Sequence, residues 1–315
     1  MFQYLISINP LGFLYGSRGT FLSPENLVGR SGAAFPPPAT VIIGLLAQVY
    51  PEVVKGSDLM VAGAFWAESH DLQNFWVPTP FNLLVRGDKV VHQLVWNGKE
   101  WKDKNDQRIT GKFSERTWLS IKQWKQPQTV KQPPWKYIPH LHPRLADDQR
   151  IVQGDDRRTL FLENAVQLSP DVRLIYLSSH SLPDGWYRFG GEGHMVELQS
   201  FPLAQESRKL WERPLGNCFA LICCGVWGSS RQSKRCPEVW ESQKQALLTS
   251  RAIPFRYRLG ARLARGHYAV PAGSVYVLKE PLEKSWEQLD EHIFPHYGHD
   301  NYKKWGCGLA LPLGE

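Results

Sequence analysis

The sequence predicts an α+β protein on three observations. Strand-like apolar runs recur along most of the chain, and helix-like apolar spacing is confined to segments near residues 40–50, 237–248 and 280–294. Glycines punctuate the strand-like segments RFGGEGHMVEL (188–198), HYAVPAGSVYVL (267–278) and WGCGLALPL (305–313). Short strands in mixed order with helices suit a ferredoxin-like, RRM-like unit. A chain of 315 residues holds two such units, divided as 1–165, with an insertion near 96–150, and 166–315.

At the start, MFQYLISINP alternates apolar positions and reads as a strand near residues 2–8. It lacks the basic flank and cleavage site of a signal peptide, which points to a cytoplasmic protein. A long polar, glycine-containing loop follows. After Pro36, Pro37 and Pro38, the run ATVIIGLLAQVY places Val41, Ile42, Leu45, Leu46 and Val49 for a buried helix, with Thr40 at its N-cap. Gly44 inside it costs about 1 kcal/mol relative to alanine, so close packing against a strand is expected there.

The middle, from about residue 96 to 150, is rich in Trp, Lys, Gln and Pro and shows neither a long helical period nor clean alternation. Trp96, Trp101, Trp118, Trp124 and Trp135 interleave with Lys99, Lys102, Lys104, Arg108, Lys112, Lys122 and Lys125. Aromatic and basic side chains together can stack bases and neutralise phosphates. Equally, the tryptophans can anchor the insertion to the core.

In the second half VRLIYLSS, HMVELQSF, CFALICCGVW, IPFRYRLG, YAVPAGSVYVL and WGCGLALPL read as strands. PEVWESQKQALL reads as a helix with Pro237 in its first turn. EPLEKSWEQLDEHIF reads as an amphipathic helix with Leu282, Trp286, Leu289 and Ile293 on one face. The period of two in IPFRYRLG sends Phe255, Tyr257 and Leu259 to one face and Arg256 and Arg258 to the other. With Arg262 and Arg265 in the glycine-bearing loop beyond, these arginines can grip a phosphate backbone.

The net charge of +7 is concentrated. Residues 96–136 hold ten Lys/Arg against four Asp/Glu, and 251–267 hold five Arg and no acid, so the remainder of the chain is net negative. Concentrated positive charge is the footprint of phosphate binding. Glycines at strand ends let the backbone approach a ligand closely, with amides pointing at phosphate oxygens.

Other classes are disfavoured. No run of about 18 apolar residues marks a membrane span, and 42% hydrophobic with 21% charged residues excludes a disordered chain. Five cysteines, including the adjacent Cys223 and Cys224, make a poor disulfide framework. Zinc binding by Cys218, Cys223, Cys224 and Cys236 lacks a CxxC pair, and His292, His296, His299 and Asp300 have mixed spacing, so no metal or cofactor is expected. His140, His142, His180 and His194 are the candidates for acid/base chemistry, without a recognisable histidine, tyrosine and lysine constellation. A basic surface meeting an acidic protein is the third class, separable by salt dependence.

Four positions in order carry a resemblance: Arg18 and Gly19 of FLYGSRG, the PPPATVIIGLL run, DDRRTLFLENAVQL followed by RFGGEGHMVEL, and FRYRLGARLARGHYAVPAGSVYVL with the terminal GCGLALPL. Their order and spacing span nearly the whole chain. The chain resembles the RAMP superfamily of CRISPR-associated proteins, and within it the third subunit of type III-B (Cmr) effector complexes. The resemblance implies a ferredoxin-like fold with a second, degenerate copy. It implies a non-catalytic subunit that holds the repeat-derived 5′ tag of a crRNA at the foot of the complex. The implied partners are the crRNA, the large Palm-domain subunit and the backbone RAMP subunits, with target RNA met only indirectly and no membrane. The implied RNA-binding residues are Arg18, Gly19, Arg30, Arg188, Gly190, Gly191, Gly193, Arg256, Arg258, Arg262 and Arg265. Some relatives cut repeat RNA without metal, which keeps the enzyme alternative open. Many members end in a longer glycine-rich loop than Gly306 and Gly308 provide here.

Overall fold

The computed structural model describes residues 1–15, 35–55, 59–143, 160–190, 193–229, 231–259, 262–297 and 300–314. The chain opens with β1 (Tyr4–Pro10) and the short β2 (Leu14–Tyr15), then α1 (Thr40–Val49), α2 (Pro51–Lys55) and β3 (Val61–Glu68). The middle forms β4 (Trp76–Pro78), the pair β5 (Leu83–Arg86) and β6 (Lys89–Gln93), and the pair β7 (Val95–Trp96) and β8 (Trp101–Lys102). It continues with β9 (Trp118–Ser120), β10 (Val130–Lys131), β11 (Trp135–Pro143) and β12 (Leu160–Leu168). Next come β13 (Val172–Ser178), β14 (Gly185–Phe189), β15 (His194–Pro202) and α3 (Gln205–Trp211). The last third holds β16 (Gly216–Leu221), β17 (Trp227–Gly228), β18 (Ser233–Lys234), α4 (Glu238–Glu241), β19 (Lys244–Leu248) and β20 (Ile253–Phe255). It ends with β21 (Arg258–Leu259), β22 (Arg262–Leu263), β23 (His267–Ala269), β24 (Val275–Leu282), β25 (His296–Tyr297), β26 (Asp300–Asn301) and β27 (Ala310–Pro312).

The architecture is mixed and rich in sheet. An eight-stranded antiparallel sheet runs β10-β9-β4-β3-β13-β1-β15-β14, and a four-stranded one runs β19-β24-β16-β27. In each, the four principal strands lie in the same order. Counting by chain position, β15-β1-β13-β3 and β27-β16-β24-β19 both read fourth, first, third, second. Strands β13 and β15 flank β1, with Ile6 opposite both Tyr176 and Ser200. The change from one sheet to the other falls between Pro202 and Gly216. Hydrophobic alternation identifies a strand but not its partner.

Burial on β1 follows the pleat. Ile6 and Ile8 pack with Ile42, Leu45 and Leu46 of α1, Tyr176, Phe189, Val196 and Leu198. Leu5 points the other way, into a core shared by Phe65, Phe75, Leu177, Phe219, Leu221 and Tyr276, which joins the large sheet to the four-stranded one. Each such fully buried side chain contributes about 1.5–3 kcal/mol. Among the described residues no helix is long and apolar enough to cross a membrane.

Several expectations are corrected. Helix α1 forms where its apolar spacing puts it, but its N-cap is Ala39 and no side chain caps it. A methyl group on Gly44 would meet nothing within 4 Å, so this glycine is not a packing contact. In 237–248, one turn of helix ends at Glu241 and Lys244–Leu248 pairs with β24, because a sheet edge offers Ala246 burial that an isolated helix does not. In 280–294, two single 3-10 turns, Trp286–Gln288 and Glu291–Ile293, replace the helix. Ser285 and Gln288 form a capping box at the first and Asp290 caps the second, while extended Leu289 separates them. The run 253–260 breaks after Phe255, and Pro271–Gly273 interrupts 267–278 as a turn.

Part of the middle of the chain joins the large sheet, through β9 and β10. Trp118 lies on β9 within the large sheet and packs with Trp66, Trp76 and Trp135. Trp124 is buried and its Nε1 donates to Pro312 O at 2.9 Å. Lys102 pairs with Glu100 and Asp106, Lys122 with Asp71, and Lys131 with Glu68 while lying 4.9 Å from the Trp76 ring centroid. The anchoring reading of these tryptophans accounts for Trp118 and Trp124.

Candidate nucleic-acid interface

The first glycine segment is the tip of the β14–β15 hairpin. Phe189 pairs with His194, and Gly193 N–H donates to Gly190 O at 3.2 Å. Gly190 (φ 75°) and Gly193 (φ 65°) take left-handed conformations that favour glycine. A methyl group on Gly190 would meet nothing within 4 Å, and one on Gly193 only the Arg188 side chain at 3.8 Å. This backbone is open to a ligand. Arg188 is exposed beside it, and Trp186, on the same face of β14, is 73% exposed.

His194 follows directly and is joined to Tyr15. The Tyr15 N–H donates to His194 Nε2 at 3.2 Å, and the Tyr15 hydroxyl hydrogen-bonds His140 Nδ1 at 2.5 Å. The tyrosine ring lies 5.2 Å from the His194 ring and 6.2 Å from the His140 ring, both at shallow angles, with Phe13 against His140. Strand β2 enters this cluster by pairing with β12, and Leu11 N–H donates to Met195 O at 3.1 Å. A cleft of about 320 Å³ opens at the same end, between Asn9–Phe13 and Gln167–Val172. Two of the four candidate histidines thus converge. His180 sits beside Ser179 at 3.0 Å at the other end of the sheet, and the side chain of His142 is outside the described residues.

The second group, Arg256–Arg265, forms a separate feature. Strands β21 and β22 pair Arg258 with Leu263 and Leu259 with Arg262, and Ala264 N–H donates to Tyr257 O at 3.0 Å. Phe255 and Tyr257 are buried as their spacing requires. Arg256, expected on an open sheet face, is half-buried and its Nε donates to Ala264 O at 2.6 Å, so part of this guanidinium closes the hairpin. Arg265 is exposed; burial, and secondarily Arg265, hold the neighbouring His267 imidazolium below its ordinary pKa. Only the backbone of Arg258 and Arg262 is described, and Arg18, Gly19, Arg30 and Gly191 lie outside the described residues.

The two groups are not brought together. Tyr257 packs on Trp305 with ring centroids 4.4 Å apart, and the loop Tyr302–Gly308 rests on β3, where Val61 N–H donates to Lys304 O at 2.8 Å. That is the Tyr4–Pro202 end of the large sheet, whereas the glycine hairpin lies at the Pro10 end. The nine residues of β15 separate the ends by roughly 25 Å at the rise of a strand.

The other glycine segments serve packing. A methyl on Gly306 would lie 2.7 Å from Ala62 Cα and Val61 O, one on Gly308 2.3 Å from the Trp227 ring, and one on Gly273 2.8 Å from Thr79 O. Lys303, whose ammonium is disfavoured by burial, locks the terminal loop by donating to Glu287 O at 2.7 Å and Leu289 O at 2.5 Å. Among the described residues no group of three or more His, Cys, Asp or Glu is placed to hold a metal. Burial pushes the Cys218 thiol up to about 11 and Cys236 to about 12, and also raises Cys223 and Cys307, which disfavours the thiolate at each.

Sequence reasoning missed Tyr15, Phe13 and Trp186 at the first end, and Arg231, Arg235 and Tyr268 at the second. The segment 226–236 carries three cations and no acid, a signal legible in the residues themselves.

The model of the family described as CRISPR-associated protein (Cas_Cmr3) matches residues 28–314. The chain belongs to the Cas_Cmr3 family. Arg18 and Gly19 precede the matched span. The fold of this Cas_Cmr3 chain is similar to that of a chain in a cryo-EM structure of the type III-B Cmr-beta bound to cognate target RNA and AMPPnP. That match has a TM-score of 0.50 and 8% identity, and covers 87% of this chain and 86% of that one. A chain of a Csm3–Csm4 subcomplex from a type III-A CRISPR-Cas interference complex matches at 10% identity and TM-score 0.39, covering 90% of this chain and 97% of that one. No curated protein sequence matches.

Proposed function

We propose that this chain is a non-catalytic subunit of a type III CRISPR effector complex that holds the 5′ tag of the crRNA at the glycine-hairpin end of its large sheet. The observation that carries the reading is the open hairpin tip at Gly190 and Gly193, flanked by Arg188 and by the ring cluster of Tyr15, His140 and His194. Exposed main chain and a guanidinium suit phosphates, and clustered rings suit splayed bases of a single strand. Arg18, Gly19, Arg30 and Gly191 complete this site in the proposal, and Arg256, Arg258, Arg262 and Arg265 serve the same strand farther along. The shared strand order of the two sheets supports two ferredoxin-like units. In the first, the hairpin strand β14 occupies the chain position of the second helix, and we place the division in residues 203–215. The large Palm-domain subunit and backbone RAMP subunits are the protein partners in this reading, and the cytoplasm is the compartment.

Co-expression with neighbouring subunits, purification of the assembly and sequencing of retained RNA tests it. Guides sharing one 5′ tag are expected, and an assembly without RNA overturns the reading. A second reading, metal-independent cleavage of repeat RNA, is favoured by the two histidines joined through Tyr15. Repeat RNA cut by the full chain in chelator, and left intact by His140→Ala or His194→Ala, would select it.

A further inference from the structure

We infer that the exposed ring of Tyr268 stacks a base of single-stranded RNA while the arginines around it neutralise adjoining phosphates. This deepens the nucleic-acid reading of the arginine hairpin and rests on it, but not on recognition of a tag.

Two segments without a single carboxylate, 226–236 and 249–277, meet at this place and carry eight Lys/Arg between them. They are stitched by Tyr268 N–H donating to Ser233 Oγ at 3.0 Å and by Gly225 and Val270 exchanging main-chain bonds of 2.8 Å. Arg231, Arg235, Arg251 and Arg265 are exposed, and among the described residues none of them forms an ion pair; Lys234 alone pairs, with Glu238 at 3.0 Å. On β23 the pleat buries His267 and Ala269 and leaves Tyr268 56% exposed.

The Arg231–Arg235 turn is held in place by groups other than those two side chains. Ser229 Oγ accepts from the Arg231 and Gln232 amides at 3.3 Å, and the Tyr276 hydroxyl donates to Arg235 O at 2.6 Å. Gly228 makes the turn so tight that a methyl there would lie 2.2 Å from Gln232 O. The fold therefore needs the backbone of Arg231 and Arg235 and leaves their cationic groups for another role. Uncompensated like charges repel and call for a polyanion. An acidic protein would be met by the charges alone, whereas an aromatic face among arginines matches a single strand, whose bases stack while its phosphates are neutralised.

The test is the affinity of the full chain for a fluorescent 12-nucleotide oligouridine, measured across a salt series with thermal midpoints recorded for each variant. Tyr268→Ala should weaken binding about 10-fold, within the range of one lost stacking contact, and Tyr268→Phe should bind like the parent. Arg231→Gln with Arg235→Gln should weaken binding and flatten the salt dependence by about 1–2 phosphate contacts. Unchanged affinity of a folded Tyr268→Ala protein overturns the inference, as does Tyr268→Phe binding as poorly as Tyr268→Ala. Loss of an acidic protein partner with RNA binding intact also overturns it. The probe carries no tag, so discrimination between tag and scrambled RNA, measured separately, can fail while this result stands.

Discussion

The glycines of the β14–β15 tip and those of the terminal loop share left-handed conformations, yet they do opposite things. At Gly190 and Gly193 the space a side chain would take is open, whereas at Gly306 and Gly308 it is filled by Ala62, Val61 and Trp227. A positive φ explains glycine at all four, but only the surroundings tell a turn that faces solvent from a turn pressed into the core. The comparison locates an open hairpin backbone at one end of the large sheet and a structural lock at the other.

Gly308→Ala should separate the two most sharply. It combines a left-handed alanine with a clash against the buried Trp227 ring, and a loss of about 3 kcal/mol is expected in chemical denaturation. A loss under about 1 kcal/mol would mean that Trp227 moves aside freely. Gly190→Ala should cost only the conformational term, about 1 kcal/mol, while lowering RNA retention by the assembled complex. Equal stability losses at 190 and 308 would erase the distinction drawn here. Gly44→Ala reverses the sign, because that glycine lies in a helix with nothing near it, and a gain of about 0.5–1 kcal/mol should appear as a raised denaturation midpoint.

The smallest effect is a pH dependence at the locked end. With its folded pKa held down by burial and by Arg265, His267 binds a proton less readily than it does in the unfolded chain. The stability it contributes is complete above the unfolded value of about 6.5 and is lost as pH falls from there through the folded pKa. His267→Gln should therefore lose less stability between pH 7.5 and 5.5 than the parent in urea titrations, and an identical loss would show that His267 is protonated as easily in the fold.

The sequence announced local features better than their partners. The alternation in VRLIYLSS and HMVELQSF matches strands β13 and β15, but nothing local says that they flank β1 across more than 160 residues. The run at 237–248 carries good helix formers, and pairing with β24 overrides them from residue 244. For the site, Arg188, Gly190 and Gly193 were legible as a glycine turn with a cation. Tyr15 and His140 were not, since 125 positions separate the two partners of one hydrogen bond. Arg256 was legible as a cation and misread as free, because its bond to Ala264 O depends on a hairpin that alternation alone does not reveal.

The most direct measurement is photocrosslinking in the assembled complex, with 4-thiouridine placed in the 5′ tag of the crRNA and adducts mapped by mass spectrometry. The account predicts adducts on peptides holding Phe13 and Tyr15 and on the segment from Trp186 to His194. Adducts confined to the terminal loop around Gly306 and Gly308, or none on this chain, would contradict it.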